Sequence, residues 1–261
     1  MIIRDKTFEN YTYVMAIINL TPDSFYASSR VATDEVLFAV EKVIKEGASI
    51  VDLGAQSTRP GYSEVDWQTE LNRLEKPLIE IRKNFDVPVS VDTYYSQTAD
   101  ACLSLGADMI NDVWGLTYDG KMADVVAKHG ASVCIMHNKK EQVKGDLWGE
   151  VIPFLQNSVD LALAKGVQKQ KICLDGGIGF AKDRAQNFEL LNGYKKLSVL
   201  GYPLLLGASR KSMFGGDVKD RLAPTLKATE SATRDGVLFV RVHDVAENVR
   251  VIREFYERNK N

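Results

Sequence analysis

Cysteine is scarce in this chain of 261 residues: Cys102, Cys134 and Cys173 stand far apart in sequence, each beside aliphatic residues and with no Cys-x-x-Cys pair. That argues against a disulfide framework or a thiolate metal site, and the three read as small core hydrophobes in a reducing compartment. An excess of charge of one sign is also lacking, the formal net charge being −2. A nucleic-acid partner, which needs a basic face, therefore gains no support, although a local anion pocket fits inside a neutral total. No apolar run approaches membrane-spanning length, and Met1 to Asn10 is charged without the apolar stretch of a signal peptide. The expectation is a soluble cytoplasmic protein with no membrane or nucleic-acid partner. Linkers rich in Pro, Gly or Ser and low-complexity tracts are missing, so residues 1–261 are expected to form a single domain. His-Glu-x-x-His, a Walker loop and a Gly-x-Gly-x-x-Gly after the first strand are all absent, which disfavours zinc hydrolysis and hydride transfer.

What the chain does have is eight short apolar runs, each stopping on polar or charged residues. Tyr13 to Ile18 stops at Asn19, Ile50 to Val51 at Asp52, Val87 to Val91 at Asp92, and Met109 to Ile110 at Asn111 and Asp112. Val133 to Met136 stops at His137, Ile172 to Leu174 at Asp175, Leu204 to Gly207 at Ser209, Arg210 and Lys211, and Val237 to Val240 at Arg241 and His243. Continuous apolar runs mark buried parallel strands, and their carboxyl ends are where barrel enzymes place chemistry. Helical periodicity fills the gaps: Thr33 to Glu46, Glu64 to Asn84, Ser96 to Leu105, Met122 to His129, Leu155 to Lys165, Ala185 to Leu197, Thr225 to Arg234 and Ala246 to Glu257. Eight alternations within a length close to the usual ~250 residues predict an α/β fold, a single (β/α)8 TIM barrel. The longer connections, Leu20 to Ala32, Gln56 to Ser63, Asn138 to Trp148 and Lys211 to Pro224, all fall on the predicted catalytic face.

Several strand ends carry candidate chemistry. Asp92, Asn111 and Asp175 together offer acceptors and a donor suited to an amidine-like heterocycle edge, while each alone is equally a strand-end turn residue. Lys211 adds a donor for a ring carbonyl or an anion. Arg241 and His243 are two apart and share a face, so they suit an anion site, the structural alternative being an ion pair with Asp244. Arg59 sits in a flexible frame of hydroxyls and glycine, where it either clamps an anion or forms a surface pair. Of the other histidines, His129 precedes Gly130 at a helix end and reads as a surface residue meeting the helix dipole, while His137 reads more as structural than functional. Asp175 through Phe180 is glycine-rich but is a poor dinucleotide fingerprint, because it follows the sixth strand.

Taken in order, Asn19-Leu-Thr-Pro-Asp-Ser-Phe25, Ser57-Thr-Arg-Pro-Gly61, Val91-Asp-Thr93, Asn111-Asp112, Asp175 through Phe180, Ser209-Arg-Lys-Ser212 and Arg241-Val-His-Asp244 resemble the dihydropteroate synthases, from Tyr13 to about Val251. The resemblance implies a pterin-binding barrel, a transferase joining 6-hydroxymethyl-7,8-dihydropterin diphosphate to 4-aminobenzoate in folate biosynthesis, a step blocked by sulfonamides. It implies that Asp92, Asn111, Asp175 and Lys211 hold the pterin, that Asn19, Arg241 and His243 hold the diphosphate, and that Asn19 helps bind Mg²⁺. By the same carry-over Phe180, Lys211 and Ser212 line the aminobenzoate site, with Phe25, Thr58, Arg59 and Pro60 supplied by the first two loops. Met136 joins the substrate-binding set, Asn19, Arg59, Lys211, Arg241 and His243 form the catalytic set, and a homodimer is implied.

The chain departs from the family in places. Family members commonly read Met-Gly at Met15-Ala16, Asp-Gly-Gly at Ala27-Ser28-Ser29, Gly-Gly-Glu at Gly54-Ala55-Gln56 and Asp-Pro-Gly at Asp175-Gly176-Gly177, and Asn138-Lys139-Lys140 is also unusual. These changes bear on the first two loops and on aminobenzoate handling, and they spare the implied pterin and diphosphate ligands. Two other readings share part of the pattern: a pterin-binding paralogue without synthase activity, and a methyltetrahydrofolate-dependent methyltransferase. The latter has no need of Arg241, His243 or the Ser209 to Ser212 segment.

Overall fold

A computed structural model describes residues 1–20, 30–56 and 64–259. The chain opens with a small antiparallel hairpin, β1 (Ile2–Ile3) and β2 (Lys6–Thr7), and then alternates parallel strands with helices. The strands are β3 (Tyr13–Asn19), β4 (Ile50–Gly54), β5 (Val89–Asp92), β6 (Met109–Asp112), β7 (Ser132–Met136), β8 (Ile172–Asp175), β9 (Leu205–Leu206) and β10 (Phe239–Val242). The helices are α1 (Arg30–Glu46), α2 (Trp67–Asn84), α3 (Ser96–Ser104), α4 (Met122–His129), α5 (Leu147–Ala164), α6 (Arg184–Asn192), α7 (Leu222–Arg234) and α8 (Val245–Arg258).

β8, β7, β6, β5, β4, β3, β10 and β9 lie side by side in that order, every pair parallel. A bridge between Leu174 and Leu204, with the Leu174 N–H donating to the Pro203 carbonyl at 2.9 Å, brings the two edges together and gives the TIM barrel its closure. Side chains alternate between two environments along each strand, as the pleat requires. Val14, Ala16, Val51, Leu53, Val89, Val91, Val133, Ile135, Leu174 and Val240 pack outward into one cluster with Val40, Leu74, Leu78, Leu155 and Ile252 of the helices. Met15, Ile50, Met109, Cys134, Cys173, Leu205 and Phe239 form a second, inner cluster, to which the hairpin side contributes Ile3 and Phe8. The three cysteines are buried and free, as expected of core hydrophobes. Cys134 and Cys173, distant in sequence, are adjacent in register between β7 and β8.

Some boundaries differ from the periodicity for identifiable reasons. α5 begins at Leu147, eight residues before the predicted Leu155, because Asp146 caps it by accepting from the Trp148 N–H at 3.1 Å. Gly149 makes that cap possible, since a Cβ there would fall 2.5 Å from Asp146 Oδ2. Pro153 lies within the same helix, where it withdraws one N–H from the ladder, and together these two residues hid the first turns. α2 starts at Trp67 because Asp66 caps it through the Thr69 N–H. α6 stops at Asn192 and the chain continues as a 3₁₀ turn, Tyr194–Leu200. The last strand runs Phe239–Val242, two residues later than its apolar run, so Arg241 belongs to the strand itself.

Candidate active site

The inner positions change character toward the carboxyl ends of the strands, from apolar residues to Asn19, Asp52, Asp92, Asn111, Asp175 and Arg241, with His243 just beyond. Asn111 and Asp112 show how much one residue matters. Asn111 Nδ2 lies 3.4 Å from Asp52 Oδ2, whereas the Asp112 carboxylate accepts the Trp114 and Leu116 N–H groups at 2.8 and 2.7 Å and shapes its own loop. Burial pushes the Asp112 carboxyl up to about 7, despite those two backbone donors.

Arg241 is the centre of the network. Its Nε donates to Asp52 Oδ2 at 2.6 Å and its Nη2 to Asp92 Oδ2 at 2.6 Å. The ion pair with Asp244 does not form: Asp244 is held bidentately by Arg210, at 2.7 and 2.6 Å, so Arg241 is left to the barrel interior. Burial works to deprotonate Arg241, but Asp52 and Asp92 outweigh it and hold the guanidinium above its ordinary value. Burial raises the Asp92 carboxyl, Arg241 opposes that and Asp52 adds to it. Two carboxylates thus share one cation. Asp52 Oδ1 and Asp92 Oδ1 are buried and accept no hydrogen bond among the described residues, and Asp92 lines the cavity. A buried acceptor without a donor is costly unless a ligand supplies one.

Asp175 sits across the barrel, at the end of β8. Its Oδ1 accepts the Gly177 N–H at 2.7 Å and lies 3.0 Å from the Tyr194 hydroxyl, which also contacts the Leu205 carbonyl. Burial raises this carboxyl in spite of those partners. Gly207 keeps the approach open, since a Cβ there would stand 3.3 Å from Asp175 Oδ2.

The opposite wall is cationic. The Ser209 hydroxyl accepts the His243 backbone N–H at 3.2 Å and lies 2.9 Å from His243 Nδ1, so one side chain fixes both the backbone and the ring of His243. Arg210 holds a left-handed φ of 53°, and its bidentate pair with Asp244 pins that conformation. Lys211 follows, its Nζ 4.4 Å from the centre of the Phe180 ring. Asn19, Asp92, Phe180, Lys211, Ser212, Arg241 and His243 all line one cavity of about 390 Å³.

Asn111, Asp175 and Met136 are buried, and Met136 joins Tyr94 and Val113 in the cluster that Phe180 packs against. Phe25, Thr58, Arg59 and Pro60 lie outside the described residues. His137 is fully buried, with its Nδ1 2.8 Å from Lys182 Nζ and its ring edge-on to Phe154. His129 is more engaged than a surface residue, its Nε2 2.6 Å from Asp100. Among the described residues no three His, Cys, Asp or Glu side chains gather as a metal site. Magnesium often takes only one or two protein ligands and completes its shell with phosphate oxygens and water, so a single exposed Asn19 at the cavity fits that mode.

Sequence reasoning missed Asp52, Glu70, Lys182 and the orienting role of Ser209. Asp52 ended an apolar run on the same parity as Asp92, which was the available signal. Glu70 offered none: it is buried on α2 and accepts the Thr93 hydroxyl at 2.6 Å, bracing the residue after Asp92. Burial raises its carboxyl to about 7.

Comparison with known proteins agrees with this geometry. Residues 15–243 match the family described as pterin binding enzyme. A dihydropteroate synthase from Streptococcus pyogenes serotype M6 is 40% identical over 251 residues, covering 94% of both chains. One from Clostridium beijerinckii is 39% identical over 248 residues, covering 93% of this chain and 92% of its own. Among solved structures, a Clostridium difficile dihydropteroate synthase crystallised in the presence of pteroic acid superposes with a TM-score of 0.93 at 42% identity, covering 97% of this chain and 99% of that one. A Yersinia pestis dihydropteroate synthase in a sulfonamide drug complex gives a TM-score of 0.92 at 31% identity, covering 100% of this chain and 99% of that one.

Proposed function

Since the chain belongs to the pterin-binding enzymes and is a transferase of the dihydropteroate synthase type, we propose that it joins 6-hydroxymethyl-7,8-dihydropterin diphosphate to 4-aminobenzoate, forming 7,8-dihydropteroate and releasing diphosphate. The observation that carries this reading is that Asp92, whose buried Oδ1 accepts no hydrogen bond among the described residues, lines one cavity with Arg241, His243 and Lys211. A pterin's amino and ring N–H groups donate to Asp92 and Asp175, Asn111 both donates and accepts, and Lys211 donates to the ring carbonyl. The diphosphate lies toward Asn19, Arg241 and His243, with Arg59 completing the clamp.

Diphosphate leaves readily only when its growing charge is neutralised, the task of Arg241 and of His243, whose ring Ser209 orients. Asn19 would hold Mg²⁺, which when bound supplies further charge neutralisation on the diphosphate. As the C–O bond breaks, the methylene carbon is left cationic and conjugated to the pterin. The neutral aniline nitrogen donates its electron pair to that carbon and then loses a proton. No protein nucleophile is needed, so the lack of a Ser-His-Asp or Cys-His set is no obstacle. Phe180, Lys211 and Ser212 receive the aminobenzoate, with Phe25, Thr58, Pro60 and Met136 contributing. A sulfonamide competes there, in keeping with the drug complex of the Yersinia pestis relative.

Among the described residues no helix is long and apolar enough to cross a membrane, and the reading places the enzyme in the cytoplasm as a homodimer of single-barrel chains acting on small molecules. The test is the purified protein with the pterin diphosphate, 4-aminobenzoate and Mg²⁺. Dihydropteroate formation that needs all three is the expected result. Intact pterin binding by calorimetry without product would favour the non-synthase paralogue.

A further inference from the structure

The loop from Gly176 to Phe180 carries Phe180 to the cavity, yet its shape is imposed from outside. Gly177 has a φ of 75° and is pressed so closely on the His137 carbonyl that a Cβ would fall 2.0 Å from it. On the other side lies Lys182. Its Nζ is 3.1 Å from the Gly177 carbonyl, 3.1 Å from the Phe180 carbonyl and 2.8 Å from His137 Nδ1. An ammonium has three protons, and here three acceptors stand within hydrogen-bond reach. The loop is therefore gripped at both ends by one side chain and backed by the His137 carbonyl just beyond β7. What the loop holds up is Lys211: the Phe180 ring faces its Nζ at 4.4 Å, and a Cβ on Gly179 would stand 3.0 Å from its Cδ.

We propose that Lys182 is a positioning residue for the aminobenzoate side of the site, holding through three N–H donations the loop that sets Phe180 against Lys211. The inference rests on Phe180 and Lys211 lining that side, as proposed above. Titratable groups face the ammonium from several elements: His137 directly follows β7, Lys139 lies two residues beyond it, Glu150 is on α5, Asp175 ends β8 and Lys211 follows β9. Burial pulls Lys182 down to about 7 against the opposing pull of Asp175 and Glu150, and Lys211 adds to the fall. Burial first, then Lys182 and Lys139, push His137 down to about 3, so its ring stays neutral and accepts at Nδ1 throughout. Once deprotonated, the amine has two protons for three acceptors. One contact lapses, and the grip becomes pH-dependent near neutrality.

Two measurements test this. In the unmodified protein, ¹⁵N NMR of the three imidazoles from about pH 6 to about pH 9.5 should show the His137 Nδ1 shift moving with a midpoint between about pH 7 and about pH 8.5. The kcat/KM for 4-aminobenzoate should fall along the same curve while pterin affinity by calorimetry stays constant. Second, Lys182→Met, which keeps the stem and loses the donors, should lower kcat/KM for 4-aminobenzoate about tenfold or more, chiefly through KM, with pterin Kd within about threefold. Lys182→Arg should recover part of the loss and move the alkaline fall beyond about pH 9, because guanidinium stays charged. A flat His137 titration, or Lys182→Met with unaltered KM and pH profile, would overturn the proposal. If Lys182→Met does not fold, the imidazole titration of the unmodified protein decides alone. If the chain makes no dihydropteroate, the proposed reaction fails while that titration still tests the grip.

Discussion

The two ends of this barrel are built from the same strands and differ completely in chemistry. At the amino-terminal end Met15, Ile50, Met109, Cys134, Cys173, Leu205 and Phe239 close the interior, and the hairpin side supplies Ile3 and Phe8, the latter ring 5.3 Å from Phe239. Two residues further along, Asp52, Asn111, Asp175 and Arg241 occupy the same inward track. Met109 and Asn111 are neighbours on one face of β6, as are Phe239 and Arg241 on β10. The difference teaches that stability and chemistry are separated by one pleat, about 7 Å of strand. A change at one end should leave the other largely intact.

That separation can be broken in a graded way. At the polar end Lys211→Ala should cost on the order of 10²- to 10³-fold in kcat/KM with little change in the denaturant midpoint, read by steady-state kinetics beside urea unfolding. At the apolar end Phe239→Ala empties a fully buried position and should cost about 3–5 kcal/mol of unfolding free energy, while pterin affinity stays within about twofold. Equal damage to binding and stability by either variant would show that the ends are not independent.

Glu70→Gln sharpens the comparison from outside the barrel. A carboxyl raised to about 7 in the fold from about 4.5 holds its proton more tightly when folded, so its contribution is complete below the unfolded value and is lost as pH rises through 7. The glutamine mimics the protonated form while keeping an acceptor for Thr93. Relative to its effect near pH 4.5, it should therefore gain up to about 3 kcal/mol at pH 8, a difference that thermal unfolding at the two pH values resolves. The smallest effect belongs to Ser209→Ala, which removes only the group orienting His243: about tenfold or less on KM for the pterin diphosphate, and no change in affinity for a pterin lacking phosphate.

Much of this was legible from residue order, because the barrel's signals are local. Each apolar run and its polar stop lie within a few residues, and strand parity alone places Asp52, Asp92, Asn111, Asp175 and Arg241 on one inner surface. The partners of Arg241 were not legible, since Asp52 and Asp92 are 189 and 149 residues away and only closure of the barrel brings them together. Asp244, three residues away, was the structural alternative to an anion site, and Arg210 holds it instead. The first turns of α5 lay outside the expected Leu155 to Lys165 because they carry Gly149 and Pro153, poor helix formers that here take the two exposed positions between buried Leu147, Val151 and Leu155. His137 read as more structural than functional, and the lysine that explains it is 45 residues downstream.

The central claim is that the polar end of this barrel reads a pterin through Asp92. Calorimetric titration of a dihydropterin into the unmodified protein and into Asp92→Ala tests it most directly. Binding should be present in the first and abolished in the second, with the circular dichroism spectrum and the cooperative unfolding of the barrel retained. Unaltered pterin affinity in Asp92→Ala would contradict the account.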